Sequence, residues 1–208
     1  MPKVSKKIDA TGKQKWRIGI DLRRLNERII QDAYPFLVIE DILDHLGNAK
    51  FFSAFDLSAG FHQIPMNKES RKYTAFSTPE GHFEYNKMPF GRKNASAAFQ
   101  RMVDQALRGL IGKTCFAYLD DIVVYGSTIQ EHNENLVILL ERLRATGLKL
   151  QPDKCELLRP ELEYLGHSII KDGVKPNKIK IEAVKNYKQP TYDTKGSERI
   201  SWTSRLLS

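Results

Sequence analysis

Cys115-Phe116-Ala117-Tyr118-Leu119-Asp120-Asp121-Ile122-Val123-Val124-Tyr125 sets two adjacent carboxylates between two apolar runs. The flanks, Cys115–Tyr118 and Ile122–Tyr125, read as strands, and the acidic pair lies where they meet. Asp is common in hairpin turns, and the pair taken alone is read most simply as one. The flanks are aromatic and aliphatic, however. Two neighbouring carboxylates beside a buried sheet repel each other unless a cation holds them. A third carboxylate ends another apolar strand, Lys50-Phe-Phe-Ser-Ala-Phe-Asp56, and is followed by the small residues Ser58-Ala59-Gly60. Strand-end carboxylates brought together form a hard oxygen site of the kind Mg²⁺ takes with substrate phosphates. Paired metals at such sites serve in-line phosphoryl displacement.

Outward from this centre, helices and strands alternate. Trp16–Asp21 alternates as a strand, after a turn signal at Asp9-Ala-Thr-Gly12. Val38–Leu46 has helical spacing and stops at Gly47. Tyr73–Ser77 and His82–Asn86 read as a hairpin around Pro79-Glu80-Gly81. Ala95–Leu110 carries one apolar stripe. Thr128 and Glu131 form a capping box for a helix that ends at Gly147. Strands near Leu148–Leu150 and Glu163–Ile170 and a helix near Lys178–Tyr187 complete the pattern. A Gly-rich phosphate loop and regular βαβ spacing are both missing, so the class is α+β, an antiparallel sheet backed by helices.

Composition narrows the function. The 208 residues hold 33 Lys and Arg against 25 Asp and Glu, a net charge of +8 with a pI near 9.4. That balance fits a polyanion partner and fits plain solubility equally. Hydrophobic residues, at 41%, are spread through the chain and exclude disorder for most of it. Its apolar runs are far shorter than the roughly twenty residues of a membrane span. Two cysteines imply no disulfide framework and a reducing compartment, and the start Met-Pro-Lys-Val-Ser-Lys-Lys is no secretory signal. His45, His62, His82, His132 and His167 have no metal-ligand spacing with those cysteines, and no nucleophile elbow is present.

Tyr118-Leu119-Asp120-Asp121 resembles the Tyr-x-Asp-Asp box of reverse transcriptases, and Phe55-Asp56-Leu57-Ser58-Ala59-Gly60-Phe61-His62-Gln63-Ile64 resembles their first palm motif as gypsy-class LTR retrotransposons write it. Trp16–Asn26, Met88-Pro89-Phe90-Gly91, Ala97–Arg101 and Leu165-Gly166-His167 stand around them in the family's order. The resemblance implies a right-hand polymerase palm with partial fingers over residues 1–190 and without a thumb. It implies two-metal transfer of a dNTP to a primer 3′-end on an RNA or DNA template, by an RNA-directed DNA polymerase. Catalysis would rest on Asp56, Asp120 and Asp121. Two Mg²⁺ ions, with Mn²⁺ as a substitute, would be held by these carboxylates and the Leu57 carbonyl. Lys7, Arg17, Ala59, Gly60, Phe61, Phe90 and Lys154 would contact the nucleotide, with Phe61 as the steric gate against ribose. Leu165, Gly166 and His167 would form the primer grip.

The family's usual Leu-Lys-Asn-Ala-Pro is Arg92-Lys93-Asn94-Ala95-Ser96 here. In relatives the domain is fused to RNase H and integrase in a Pol polyprotein. The implied location is intracellular, a cytoplasmic particle or the nucleus, with no membrane. One possible set of codons for Ile200–Leu207, read one base later, gives Phe-Leu-Gly-Leu-Ala-Gly-Tyr, the segment the family carries there. Residues 191–208 therefore read as a frameshifted, disordered tail. The alternative reading is a catalytically inactive retrotransposon remnant that binds nucleic acid without specificity.

Overall fold

The structure, a computed structural model, describes residues 2–8, 14–170, 173–177 and 181–182, without the side chains of 2–8 and 15–18. The chain opens with a hairpin, β1 (Pro2–Ile8) and β2 (Gln14–Ile20), followed by helices α1 (Arg23–Arg28) and α2 (Ile39–Leu46). Strand β3 (Phe51–Asp56) leads into helix α3 (Lys68–Arg71) and a small hairpin, β4 (Phe76–Thr78) and β5 (Gly81–Phe83). Helix α4 (Ala95–Ala106), the hairpin β6 (Cys115–Tyr118) and β7 (Asp121–Gly126), and helix α5 (Ile129–Thr146) come next. Strands β8 (Glu156–Arg159), β9 (Leu162–Tyr164), β10 (His167–Ile170) and β11 (Gly173–Pro176) follow.

The central sheet has the order β6-β7-β3-β8, and all its pairings are antiparallel. Strands β3, β6 and β7 read as apolar runs because both faces of the sheet are covered there. Phe55, Ile122 and Val124 pack against Phe99 and Val103 of α4 and Leu139 and Leu143 of α5. Phe52, Phe116 and Val123 pack the other way, against Ile42, Leu43 and Leu46 of α2 and against Leu162, Tyr164 and Ile169 of the sheet β11-β10-β9. Each fully buried aliphatic or aromatic chain there contributes about 1.5–3 kcal/mol. Gly126 lets α5 approach β7 closely: a Cβ on it would stand 2.5 Å from the His132 backbone nitrogen. His132 is itself buried and bonds Ser53 Oγ of β3 at 2.9 Å.

Several expectations shift in detail. The helix from Ala95 ends at Ala106, although Leu107 and Leu110 stay buried in the turns beyond it. Asn94 takes the N-cap position without capping. Its side chain bonds Ile30 O and the Asp32 N–H instead. The strand expected over Glu163–Ile170 is two strands, because Leu165 and Gly166, both at positive φ, turn the chain between them. Leu148–Leu150 forms only an isolated bridge, Leu57 with Leu150, since the Lys149 backbone bonds the Ser58 N–H and the Gln63 side chain. The expected hairpin around Pro79 is shorter, since Tyr73 and Thr74 belong to a 3₁₀ turn. The turn at Asp9–Gly12, most of the expected helix near Lys178–Tyr187 and all of residues 191–208 lie outside the described residues.

Candidate active site

Asp56 and Asp121 are direct cross-strand partners in the β3–β7 pairing. Residues directly opposite in an antiparallel pair project from the same face, so register alone brings these two carboxylates together. Asp120 joins them through the hairpin. The β6–β7 connection is only Leu119-Asp120, closed by the pair Tyr118 and Asp121. The Leu57 N–H donates to Asp120 O at 2.8 Å and ties that turn to the end of β3. Leu119 stands at φ +55°, a left-handed conformation that costs an L side chain about 1–2 kcal/mol. Its N–H donates to Gln100 Oε1 at 2.7 Å.

Burial and the neighbouring carboxylates perturb Asp121. The Asp121 carboxyl is pushed from its ordinary 3.8 up to about 6, first by burial among protein atoms and then by the charges of Asp120 and Asp56. Lys154 opposes that shift. Its Nζ donates to Asp56 Oδ2 at 2.6 Å, and this bond is the chief reason its ammonium is held above its usual value. The Gln151 N–H donates to Asp56 O at 2.8 Å, so the segment carrying Lys154 is tied to the strand end.

A pocket of about 250 Å³ opens over these groups. Asp56, Leu57, Ala59, Gly60, Phe61, Phe90, Asp120 and Lys154 line it, joined by Phe99 and Gln151. The Phe61 ring stands edge-on to Phe90 and Phe99, with centroids 5.3 and 5.6 Å apart. Ala59 adopts φ +51°, and the Gly60 N–H makes a long 3.3 Å bond to Leu57 O. A second hollow of about 200 Å³ lies beside the first, lined by Asp56, Asp121, Tyr164 and Leu165 among others. Gly166 and His167 continue from Leu165 into β10, and Leu165 O bonds His167 Nδ1 at 3.1 Å. Lys7 and Arg17 lie on the β1–β2 hairpin, where Arg17 pairs with Ser5 and Lys7 with Lys15; their side chains are outside the described ones.

The donors suit a hard divalent cation: carboxylate oxygens in electrostatic contact, carrying more negative charge than one lysine neutralises. Among the described residues no three His, Cys, Asp or Glu side chains close into a cage. Mg²⁺ needs no such cage, because it binds through one or two carboxylates and completes its shell with water and phosphate. Four side chains that carry this geometry have no role assigned from the sequence: Gln63, Gln100, Gln151 and Tyr164. Gln63 clasps Ser58 O and both polar atoms of the Lys149 backbone, while the Tyr164 hydroxyl donates to Asp121 O at 3.3 Å. Their only signal is position inside or beside the motifs.

Known proteins resemble this chain in sequence and in fold. Residues 2–169 match the family described as reverse transcriptase (RNA-dependent DNA polymerase). The chain is 47% identical, over 91% of its length, to the retrovirus-related Pol polyprotein from transposon 297 of Drosophila melanogaster. It is 39% identical, over 90% of its length, to that from transposon gypsy of the same species. It spans 18% of the length of each of these relatives. Its fold matches the foamy viral protease-reverse transcriptase in complex with double-stranded DNA at a TM-score of 0.79 and 28% identity, covering 91% of this chain and 33% of that one. Antiparallel pairing that sets Asp56 against Asp121 and a hairpin that carries Asp120 are thus found in a chain that belongs to the reverse transcriptase family.

Proposed function

We propose that this chain is the palm-centred part of an RNA-directed DNA polymerase, which joins a dNTP to a primer 3′-hydroxyl with release of pyrophosphate. The observation that carries this reading is the meeting of Asp56, Asp120 and Asp121, with Asp56 and Asp120 lining a pocket whose walls also hold Phe61, Phe90 and Lys154. Asp56, Asp120 and Asp121, with the Leu57 carbonyl, would hold two Mg²⁺ ions, or Mn²⁺ in their place. When bound, these ions supply charge neutralisation at the triphosphate and a more acidic primer hydroxyl. Lys154 sits where it can pass from Asp56 to a phosphate oxygen as the triphosphate enters. The Phe61 ring, braced by Phe90 and Phe99, closes the wall on which a sugar would rest. Leu165 lines the neighbouring hollow, and Leu165, Gly166 and His167 would steady the primer end. Lys7 and Arg17, on the hairpin, add phosphate contacts, for which a guanidinium is suited by its bidentate geometry. The template is RNA or DNA, held by a basic surface whose grip weakens with salt. The match to Pol polyproteins supports fusion to further domains.

Primer extension by the parent and Asp120→Asn, with template–primer affinity measured alongside, tests the reading. We expect extension by the parent, loss of it in the variant, and equal affinity in both. Equal extension by both proteins removes Asp120 from catalysis. Binding without extension by the parent favours a nucleic-acid-binding remnant.

A further inference from the structure

We propose that Gln100 is a positioning residue for the acidic turn, and that Asp104 and Tyr34 fix the direction in which its carboxamide points. The inference rests on the polymerase reading and extends it to a group that touches neither substrate nor cation. Gln100 lies on α4 and is 1% exposed. Its Oε1 accepts the Leu119 N–H at 2.7 Å, while its Nε2 donates to Ala117 O at 3.1 Å and to Asp104 Oδ1 at 2.9 Å. One side chain thus holds backbone groups on both sides of Tyr118.

Chemistry dictates the orientation. An ionised Asp104 can only accept, so the amide nitrogen must face it and the amide oxygen must face the Leu119 N–H. A flipped carboxamide would set oxygen against oxygen at Asp104 and donor against donor at Leu119. Asp104 is fixed in turn, because its Oδ2 accepts the Tyr34 hydroxyl at 2.6 Å. That bond is the chief cause that holds the Tyr34 phenol above its ordinary value. Arg101 lies over the Tyr34 ring at 4.7 Å and forms an ion pair with Asp32 at 2.8 Å. A continuous polar chain therefore runs from the 32–34 segment through α4 to Leu119.

Leu119 needs such a hold. Its left-handed backbone persists only if its surroundings impose it. The next residue is Asp120, whose carbonyl accepts from Leu57 beside Asp56. The turn is thus gripped by Gln100 on one side and by the end of β3 on the other. Releasing the Gln100 side lets Leu119 relax and carries the Asp120 carboxylate away from Asp56.

The test measures Mn²⁺ affinity without nucleotide, together with hydrogen exchange of the 116–122 backbone, in the full chain. Gln100→Glu sets acceptor against acceptor at Asp104 and at Ala117 O, and Gln100→Glu/Asp104→Asn restores a donor at the first of these. Val103→Ala, buried on the same helix and outside this chain of polar contacts, serves as the stability control. We expect Gln100→Glu to weaken Mn²⁺ binding at least about tenfold, as loss of groups that orient metal ligands does. Turn exchange should rise with it. The double variant should recover part of both, and Val103→Ala should change neither beyond its general loss of stability. Parent-like affinity and exchange in Gln100→Glu, or no recovery in the double variant, overturns the inference. Asp120→Asn separates the two readings. If it binds Mn²⁺ as the parent does, the metal reading fails, and turn exchange alone decides the role of Gln100.

Discussion

Lys154→Met removes the cation seated on Asp56. The Lys154 side chain is 61% exposed and Asp56 only 16%, so the pair is half a surface ion pair despite its 2.6 Å contact. Its strength belongs in the surface range, about 0.5–1 kcal/mol. A divalent cation that uses Asp56 Oδ2 must displace that ammonium. Deleting it therefore returns the same free energy to cation binding, about two- to fivefold in Kd at 1.4 kcal/mol per tenfold. Lys154 also holds the Asp121 carboxyl down, so the comparison belongs at pH 8, well above the value of about 6 at which Asp121 titrates with the lysine present. Titration calorimetry with Mn²⁺ on the parent, Lys154→Met and the remote Lys113→Met gives the measurement. We expect tighter binding only in Lys154→Met, and in the active enzyme a raised KM for dNTP, because the lysine no longer meets the triphosphate. Unchanged or weaker Mn²⁺ binding in that variant shows that the cation and Lys154 do not share Asp56.

Phe61→Ala, which removes the ring braced by Phe90 and Phe99, should raise rNTP incorporation relative to dNTP in single-nucleotide extension; an unchanged ratio leaves Phe61 a packing residue. Asp121 carries a pH signature. Its folded carboxyl binds a proton more readily than the unfolded one, so the native state holds more protons between pH 3.8 and about 6, and stability falls as pH rises through that window. Asp121→Asn should flatten this slope in urea midpoints taken without divalent cations, and an identical slope in both proteins assigns the titration elsewhere. Gly126→Ala should cost about 1–3 kcal/mol, as overpacking does, because the new Cβ meets the His132 N and Cα at 2.5 and 2.8 Å. Both are backbone atoms, so the first turn of α5 must move; parent-like stability refutes the clash.

The acidic centre was legible because its strands are buried on both faces. Ile122, Val123 and Val124 are fully buried, and such runs announce a core strand whatever surrounds them. The cross-strand register of Asp56 and Asp121 was not legible as geometry, since nothing local fixes which residue of β3 faces which residue of β7. Strand β8 carries no signal because all four of its residues are exposed and its pairing with β3 slips at a bulge. Helix α1 buries none of its six residues and so shows no stripe. The apolar stripe overruns the end of α4 for the opposite reason. Leu107 and Leu110 remain in the core after the helix stops, and periodicity records burial without recording backbone conformation. Gln100 and Tyr164 escape a reading by residue type because a buried amide or phenol fits packing as well as catalysis until its partners are seen.

The neighbourhood of Asp56 is assembled across a long stretch of chain, and this has a kinetic meaning. The β6–β7 hairpin that carries Asp120 and Asp121 closes from neighbouring residues, an event of about 1–10 μs. Asp56 waits for partners much further on: Lys154 lies 98 residues beyond it, and β8 pairs with β3 across a similar span. Contacts of that separation form after the local ones, because loop closure must come first. On a ribosome adding about 5–20 residues each second, roughly 5–20 s pass between the emergence of Asp56 and that of Lys154. Until β7 emerges the strand bearing Asp56 lacks both of its final neighbours, and for the rest of that interval it still lacks β8. A nascent chain therefore passes through a stage in which the acidic hairpin can exist and the nucleotide pocket cannot.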